Sequence, residues 1–410
     1  MFPFKLPLVL DGATGTALAK QGLTAGECAA QYILSHPEQV RKLQRGYVAA
    51  GADCLYTPTF TAGEVFLSEY GLADKTEEFT MKLTALCKES AGENTLVGGC
   101  MGDFLLHKEE ISPGEFLAAV EQYARQARYF KQAGVDFLVA ESMVSLASCR
   151  AAALGALPSG LPLFITVYAD FEDEPPSPQE LCTPRDNCLL SMLITLQEMG
   201  VAAFGVNCHR PQNSEALMAA LSPYAKIPLI CKPAAGAAPG GGISPGEFAG
   251  YAEEAVKAGA QMAGGCCGTD ETHIAALKKQ TDSFDFSSLK LKKEPAVPIA
   301  ADANQLYFLY ENAIFSPPLV CSVDMSEEIL EAENSGADVL RIALVSGEDA
   351  WNFAENAYMA KLPVCFSAAR AEFLVTALSL YHGRAMVDSR SGIDVGLLGK
   401  IVAPYGALVY

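Results

Sequence analysis

One phrase recurs along this chain: an amphipathic stretch, a glycine that in four of five cases follows a small residue, then a short apolar run. It reads AAGADCLYTPTF at 49–60, QAGVDFLVAES at 132–142, EMGVAAFGVNC at 198–208, KAGAQMAGGCC at 257–267 and NSGADVLRIAL at 334–344. Each glycine predicts a helix end, because a left-handed residue caps the last turn cheaply there. The run after it is apolar on both faces, as in a strand of a buried parallel sheet. ENTLVGGCMG, LPLFITVYAD and IPLICKPAAG add further strand-like phrases. From residue 7 to about 280, about eight strands alternate with helices, which is the count of a closed (β/α)8 barrel. An open doubly wound sheet is the weaker choice, since DGATGT lacks the G-x-G-x-x-G spacing.

The 410 residues exceed the roughly 250 of one such barrel, so a smaller second domain is expected. Residues 281–304 are polar, charged and proline-containing, and break the pattern. The reading is an α/β chain: a (β/α)8 barrel over 1–282, a linker over 283–304 and a partial βα domain over 305–410. PLVCSVD, DVLRIALV, LPVCFSAA, GRAMVDSRSG and GALVY supply about five strands there, too few for a second barrel. Net charge of −19 argues against nucleic acid and anionic membranes as partners. No apolar run reaches the ~18 residues of a membrane span. The opening MFPFKLPLVLDGATG is too short for a secretory leader and has no small-residue cleavage site. Thirteen cysteines scattered through apolar segments fit a reduced, cytoplasmic protein better than a disulfide scaffold.

A (β/α)8 barrel carries its active site at the C-terminal strand ends. The residues closing each repeat are therefore the candidates: Asp11 and Gly12, Thr57 to Phe60, Cys100 to Gly102, Glu141 and Ser142, Asn207 and Cys208, and Cys266 and Cys267. Three cysteines, Cys208, Cys266 and Cys267, are thus expected on one face. Three thiolates suit Zn(II), and three ligands leave a fourth position open, the mark of a catalytic site. Adjacent ligands need unusual backbone angles, for which Gly264, Gly265 and Gly268 stand ready. The chain has no C-x2-C pair of the kind that closes structural sites. Such a metal binds a substrate thiol and holds it as thiolate, ready to attack an electrophilic carbon. The vicinal pair also reads as two core residues or as a redox-active disulfide. His209 and His273 end no strand and are placed beside the site or at a helix start. Glu141 is either a buried structural carboxylate or the receiver of a cationic amino group. Asp11 either braces the turn at Gly12 or points into the barrel mouth.

LDGATGTAL, GADCLYTPTF, GVDFLVAES, GVNC and GGCCGTDETHI, in this order, resemble the homocysteine S-methyltransferase family. That family includes the homocysteine module of cobalamin-dependent methionine synthase and betaine–homocysteine methyltransferase. The resemblance spans about residues 5–280, and GVNC with GGCCG is its most specific part. It implies zinc on Cys208, Cys266 and Cys267. Strand-end placement and the resemblance together give a substrate site of Asp11, Gly12, Thr59, Glu141, Ser142 and Asn207, in which the resemblance implies Asp11 and Glu141 as the chemically active pair. Glu141 would receive the amino group of homocysteine, whose sulfur attacks the methyl donor to give methionine. The chain departs from the family twice. It has Thr57-Pro58-Thr59-Phe60 where members commonly read T-N-T-F, and Cys231-Lys232-Pro233-Ala234-Ala235-Gly236 where many read Y-P-N-A-G. Both lie at strand ends facing the expected pocket.

The tail is similar to the early part of the methyltetrahydrofolate-binding domain of methionine synthase. Strand ends that carry D-x-N, I-D-[ST] and I-N-S there read Arg341-Ile342-Ala343, Phe366-Ser367-Ala368 and Val387-Asp388-Ser389 here. The segment is therefore read as a relic without folate, serving packing or formation of a homodimer. No D-x-H-x-x-G cobalamin motif occurs, so a methyl-corrinoid donor would have to arrive on a separate protein. S-methylmethionine and betaine-like onium compounds are the other donors considered. The competing readings are a non-catalytic zinc-binding or corrinoid-partner protein and a vicinal-disulfide redox protein.

Overall fold

The computed structural model describes residues 2–108, 110–169, 181–183, 187–236, 242–286, 289, 291, 293–294, 299–309 and 312–410. Eight strands share one sheet: β1 (Leu8–Val9), β2 (Cys54–Tyr56), β3 (Leu96–Met101), β4 (Phe137–Met143), β5 (Leu163–Tyr168), β6 (Ala203–Asn207), β7 (Leu229–Lys232) and β8 (Ala260–Ala263). All pairs are parallel, β2 through β8 lie in chain order, and β1 returns to pair with β8. The result is a nearly closed (β/α)8 barrel, as the repeats predict.

The remaining seam, between β1 and β2, is closed by side chains together with a backbone bond. Asp53 accepts the Val9 N–H at 2.7 Å, and its own N–H reaches the Val9 carbonyl. Further up, Asp11 accepts the Tyr56 N–H at 2.8 Å. Asp136 and Asp338 repeat the first device in their own repeats, accepting from Val97 and Ile314 at 2.8 Å. The repeat glycines Gly51, Gly134, Gly200, Gly259 and Gly336 all have positive φ, between 70° and 124°. The helices Pro113–Ala133 and Pro245–Lys257 start from capping boxes, Ser112 with Glu115 and Ser244 with Glu247.

The N-terminal end of the barrel is plugged by apolar side chains. Phe2, Phe4 and Leu6 pack against Leu8, Phe137 and Phe164, with the last two rings stacked 4.4 Å apart. Polar chemistry is left to the other end. No helix among the described residues is long and apolar enough to cross a membrane.

The helix Glu271–Ser283 closes the barrel. The next strand, β9 (Ile299–Ala301), lies inside the stretch read as a linker, part of which falls outside the described residues. It forms a hairpin with β10 (Leu306–Phe308). A five-stranded parallel sheet follows: β11 (Leu319–Val320), β12 (Leu340–Leu344), β13 (Val364–Ala368), β14 (Met386–Val387) and β15 (Leu408–Val409), in chain order. These are the five runs picked out in the sequence.

Two buried arginines fasten this unit to the barrel. Arg150, fully buried, donates to the carbonyls of Leu378 (2.8 Å) and Ser379 (3.2 Å) at the end of the helix Ala371–Leu380. Arg384 donates to the Ile299 and Gly406 carbonyls and lies 3.8 Å from Glu198. Arg150→Ala strands the buried Leu378 carbonyl and the half-buried one of Ser379, and an unpaired buried group costs about 1–3 kcal/mol. Limited proteolysis is expected to attack residues 299–410 of that variant before the barrel; equal resistance to wild type would refute the fastening role.

Candidate metal centre

β6 ends at Asn207, and the next residue, Cys208, has φ +61°. That left-handed conformation is uncommon outside glycine and costs energy. It turns the Cys208 side chain toward the end of β8. There Gly264-Gly265-Cys266-Cys267-Gly268 reverses the chain. The Sγ atoms of Cys208, Cys266 and Cys267 all lie within 4.8 Å of one another, and those of Cys208 and Cys267 are 3.3 Å apart. For metal–sulfur bonds of about 2.3 Å, a tetrahedron has edges of about 3.8 Å. The cluster could therefore hold a metal ion, and its all-sulfur donor set is that of a thiophilic one. The three thiols also cooperate in their own protonation. Hydrogen bonds from Cys208 and Cys266 pull Cys267 well below the usual thiol range, while Cys208 is pushed up.

The glycines serve two purposes. Gly268 has φ +83°, as adjacent ligands were expected to require. Gly265 is needed for room instead: a Cβ there would sit 2.4 Å from Thr269 Oγ1. The second strained residue is not a glycine. Ser142, at φ +60°, follows Glu141 near the end of β4.

Beside the sulfurs lies a charged cluster. Lys232, the last residue of β7, is buried, with its Nζ 2.8 Å from Glu141 Oε1 and 3.5 Å from Asp11 Oδ1. The same ammonium lies 3.9 Å from the centre of the Tyr56 ring. Burial pushes the Asp11 carboxyl up to about 6, and Lys232 pulls against that rise. Burial alone would lower Lys232, but Glu141, Tyr56 and Asp11 together hold it well above its usual range.

A cavity of about 250 Å³ opens onto both clusters. Asp11, Glu141, Ser142, Lys232, Cys266 and Cys267 supply the polar part of its lining, and Leu18, Leu23, Ile33 and Phe60 an apolar part. Gly12 lines it too; a Cβ there would meet the Tyr47 ring at 2.8 Å. Two candidates stand behind the wall. Thr59 is fully buried and ties the Cys100 carbonyl, at 2.6 Å, to Thr57. Asn207 is fully buried as well. Its amide donates to Ser142 Oγ at 2.6 Å and approaches Cys266 Sγ at 3.7 Å, while its oxygen accepts the Ser142 N–H. It braces the strained Ser142.

His209 lies behind Cys208, against Ser214 Oγ (3.0 Å) and Cys231 Sγ (3.6 Å), and burial pulls it down to about 4. It is a neutral packing residue. His273 sits in the first turn of its helix and closes a capping box with Asp270. Sequence reasoning gave Lys232 no role, although the signal was there. A lysine ending an otherwise apolar strand, LPLICK, must be paired if it is buried.

Residues 8–281 match the profile of a family described as homocysteine S-methyltransferase. The chain belongs to that family. The similar proteins include a methionine synthase of Mycobacterium tuberculosis, 26% identical over 73% of this chain and 27% of its own length. This chain thus spans about a quarter of that relative. A homocysteine S-methyltransferase of Escherichia coli is 26% identical over 67% of this chain and 95% of its own length. The fold of the homocysteine methyltransferase family is matched in the crystal structure of the Escherichia coli enzyme in its metallated form, with a TM-score of 0.53. Identity there is 24%, over 67% of this chain and 96% of that one.

Proposed function

We propose that the chain is a zinc-dependent thiol S-methyltransferase that converts homocysteine to methionine. The observation that carries this reading is the convergence of three unpaired cysteine sulfurs from the ends of β6 and β8, two of which, Cys266 and Cys267, line the cavity. Cys208, Cys266 and Cys267 would hold the metal. Zinc bound there supplies a thiophilic centre that keeps an acceptor thiol as the more nucleophilic thiolate. The protein's own groups do the rest. Glu141 takes the acceptor's ammonium group, Ser142 and Asn207 fix the wall beside the sulfurs, and Leu18, Leu23 and Ile33 exclude water from the methylene chain.

The cavity holds the acceptor, and the donor reaches it from solvent. The methionine synthase relatives support a methyl-corrinoid on a separate protein as that donor. All thirteen cysteines are free, which supports a reducing, cytoplasmic setting. We assign residues 305–410 to packing against the barrel or to self-association.

Zinc analysis of the purified protein followed by a donor screen with homocysteine tests the reading. One equivalent of zinc and methionine formation support it; a reducible disulfide without metal would replace it with the redox alternative. Glu141→Gln is expected to raise the homocysteine KM by about 10- to 100-fold, the worth of a charge-assisted hydrogen bond. Its effect on 4-mercaptobutyrate, which is homocysteine without the amino group, should be small. Equal effects on both thiols would remove Glu141 from ammonium recognition.

A further inference from the structure

Lys232 occupies a cage built for one ammonium ion. Two carboxylates and an aromatic face surround its Nζ: Glu141 at 2.8 Å, Asp11 at 3.5 Å and the Tyr56 ring at 3.9 Å. Such a set would bind a small organic cation if the lysine were absent. The carboxylate oxygens can be accounted for individually. Asp11 Oδ2 accepts the Tyr56 N–H, and Oδ1 faces Lys232. Glu141 Oε1 accepts from Lys232. Among the described residues, Glu141 Oε2 has only the weak donor Cys100 Sγ, at 3.7 Å, and both residues line the cavity. Two carboxylates against one lysine leave this cage with one carboxylate charge in excess.

We infer that Lys232 is the residue that sets acceptor position: it fills the inner ammonium cage so that the substrate's ammonium must use Glu141 Oε2. This rests on the reading of Glu141 as the ammonium receptor. The lysine keeps the amino group out of a deeper and stronger site. An acceptor whose ammonium entered that site would be anchored too far in, with its sulfur displaced from the cysteine cluster. A misplacement of about 1 Å can cost on the order of 100-fold in rate.

The inference makes a demand that a structural lysine would not. Lys232→Ala empties the cage, so homocysteine should bind there tightly and unproductively. With homocysteine, kcat is expected to fall about 10-fold or more while KM holds or drops, the pattern of a ground state bound better than the transition state. With 4-mercaptobutyrate, which has no ammonium group to trap, kcat should change little. Propylamine, as its ammonium ion, should occupy the vacated cage, restore kcat with homocysteine saturably and raise the variant's melting temperature. Lys232→Met fills the space without charge and should show no response to propylamine. Lys232→Arg keeps the charge and should keep the KM near wild type.

Equal losses of kcat for both thiols in Lys232→Ala, with no effect of propylamine on rate or melting, would overturn the inference. The underlying reading fails separately. If the wild-type protein has the same KM for homocysteine and 4-mercaptobutyrate, Glu141 is not the ammonium receptor. The melting response of Lys232→Ala to propylamine would still report the cage. Should Lys232→Ala not fold alone, refolding yield with and without propylamine gives the same decision.

Discussion

Cys208→Ser is expected to lower the zinc content from one equivalent to almost none and methyl transfer to below about 1% of wild type. Altering a group that merely supports a metal ligand costs about 10- to 100-fold in affinity or activity. Removing a ligand should cost more. Serine preserves size, but its hydroxyl is not a soft anionic donor, so Cys266 and Cys267 would remain as a two-sulfur site. The left-handed backbone at 208 would persist, because it is set by the exit from β6, where the Cys208 N–H donates to the Lys232 carbonyl at 3.0 Å. Circular dichroism should therefore show an intact barrel. A folded Cys208→Ser protein that retains a full equivalent of zinc would exclude the three-sulfur site.

Gly268→Ala is expected to have the second-largest effect, without touching any sulfur. The residue sits at φ +83°, and an added Cβ would lie 2.0 Å from the Gly236 carbonyl oxygen. Backbone cannot yield as a flexible side chain does. The loops after β7 and β8 must separate, yet they are laced by the Ala235 N–H to the Cys267 carbonyl at 2.8 Å. Cys267 is pulled in the process. Zinc affinity, measured against a competing chelator, should drop about 10- to 100-fold, as for other losses of ligand support. Activity should follow it. Wild-type zinc affinity in this variant would show that the turn is not needed to place the sulfur.

The barrel was legible because its rule is local and repeated. A small residue, a glycine and an apolar run mark a helix end and a strand, and Gly51, Gly134, Gly200, Gly259 and Gly336 all take the predicted positive φ. The cysteine cluster was legible because strand ends in this fold converge, so Cys208 and Cys266 could be joined although they are far apart in the chain. The charged cage was not legible. It depends on which rotamers Asp11, Glu141 and Lys232 adopt, and on a Tyr56 ring contributed by a fourth strand. The strain at Cys208 and Ser142 was equally hidden, since neither residue type announces a left-handed conformation. Asn207 ends β6, and Thr59 lies three residues past the end of β2. Periodicity does not tell, however, whether a strand-end side chain faces the cavity or the wall behind it.

Asp11 holds two offices at once. One oxygen closes the barrel seam against Tyr56, and the other balances Lys232 beside the acceptor cavity. Position 11 therefore has little freedom to drift, because a change that retunes the charge also opens the wall. Glu141 and Lys232 carry no such second duty through their side chains. Divergence toward new acceptors within this lineage should run through those two positions, with the aspartate left in place as the hinge-pin of the architecture.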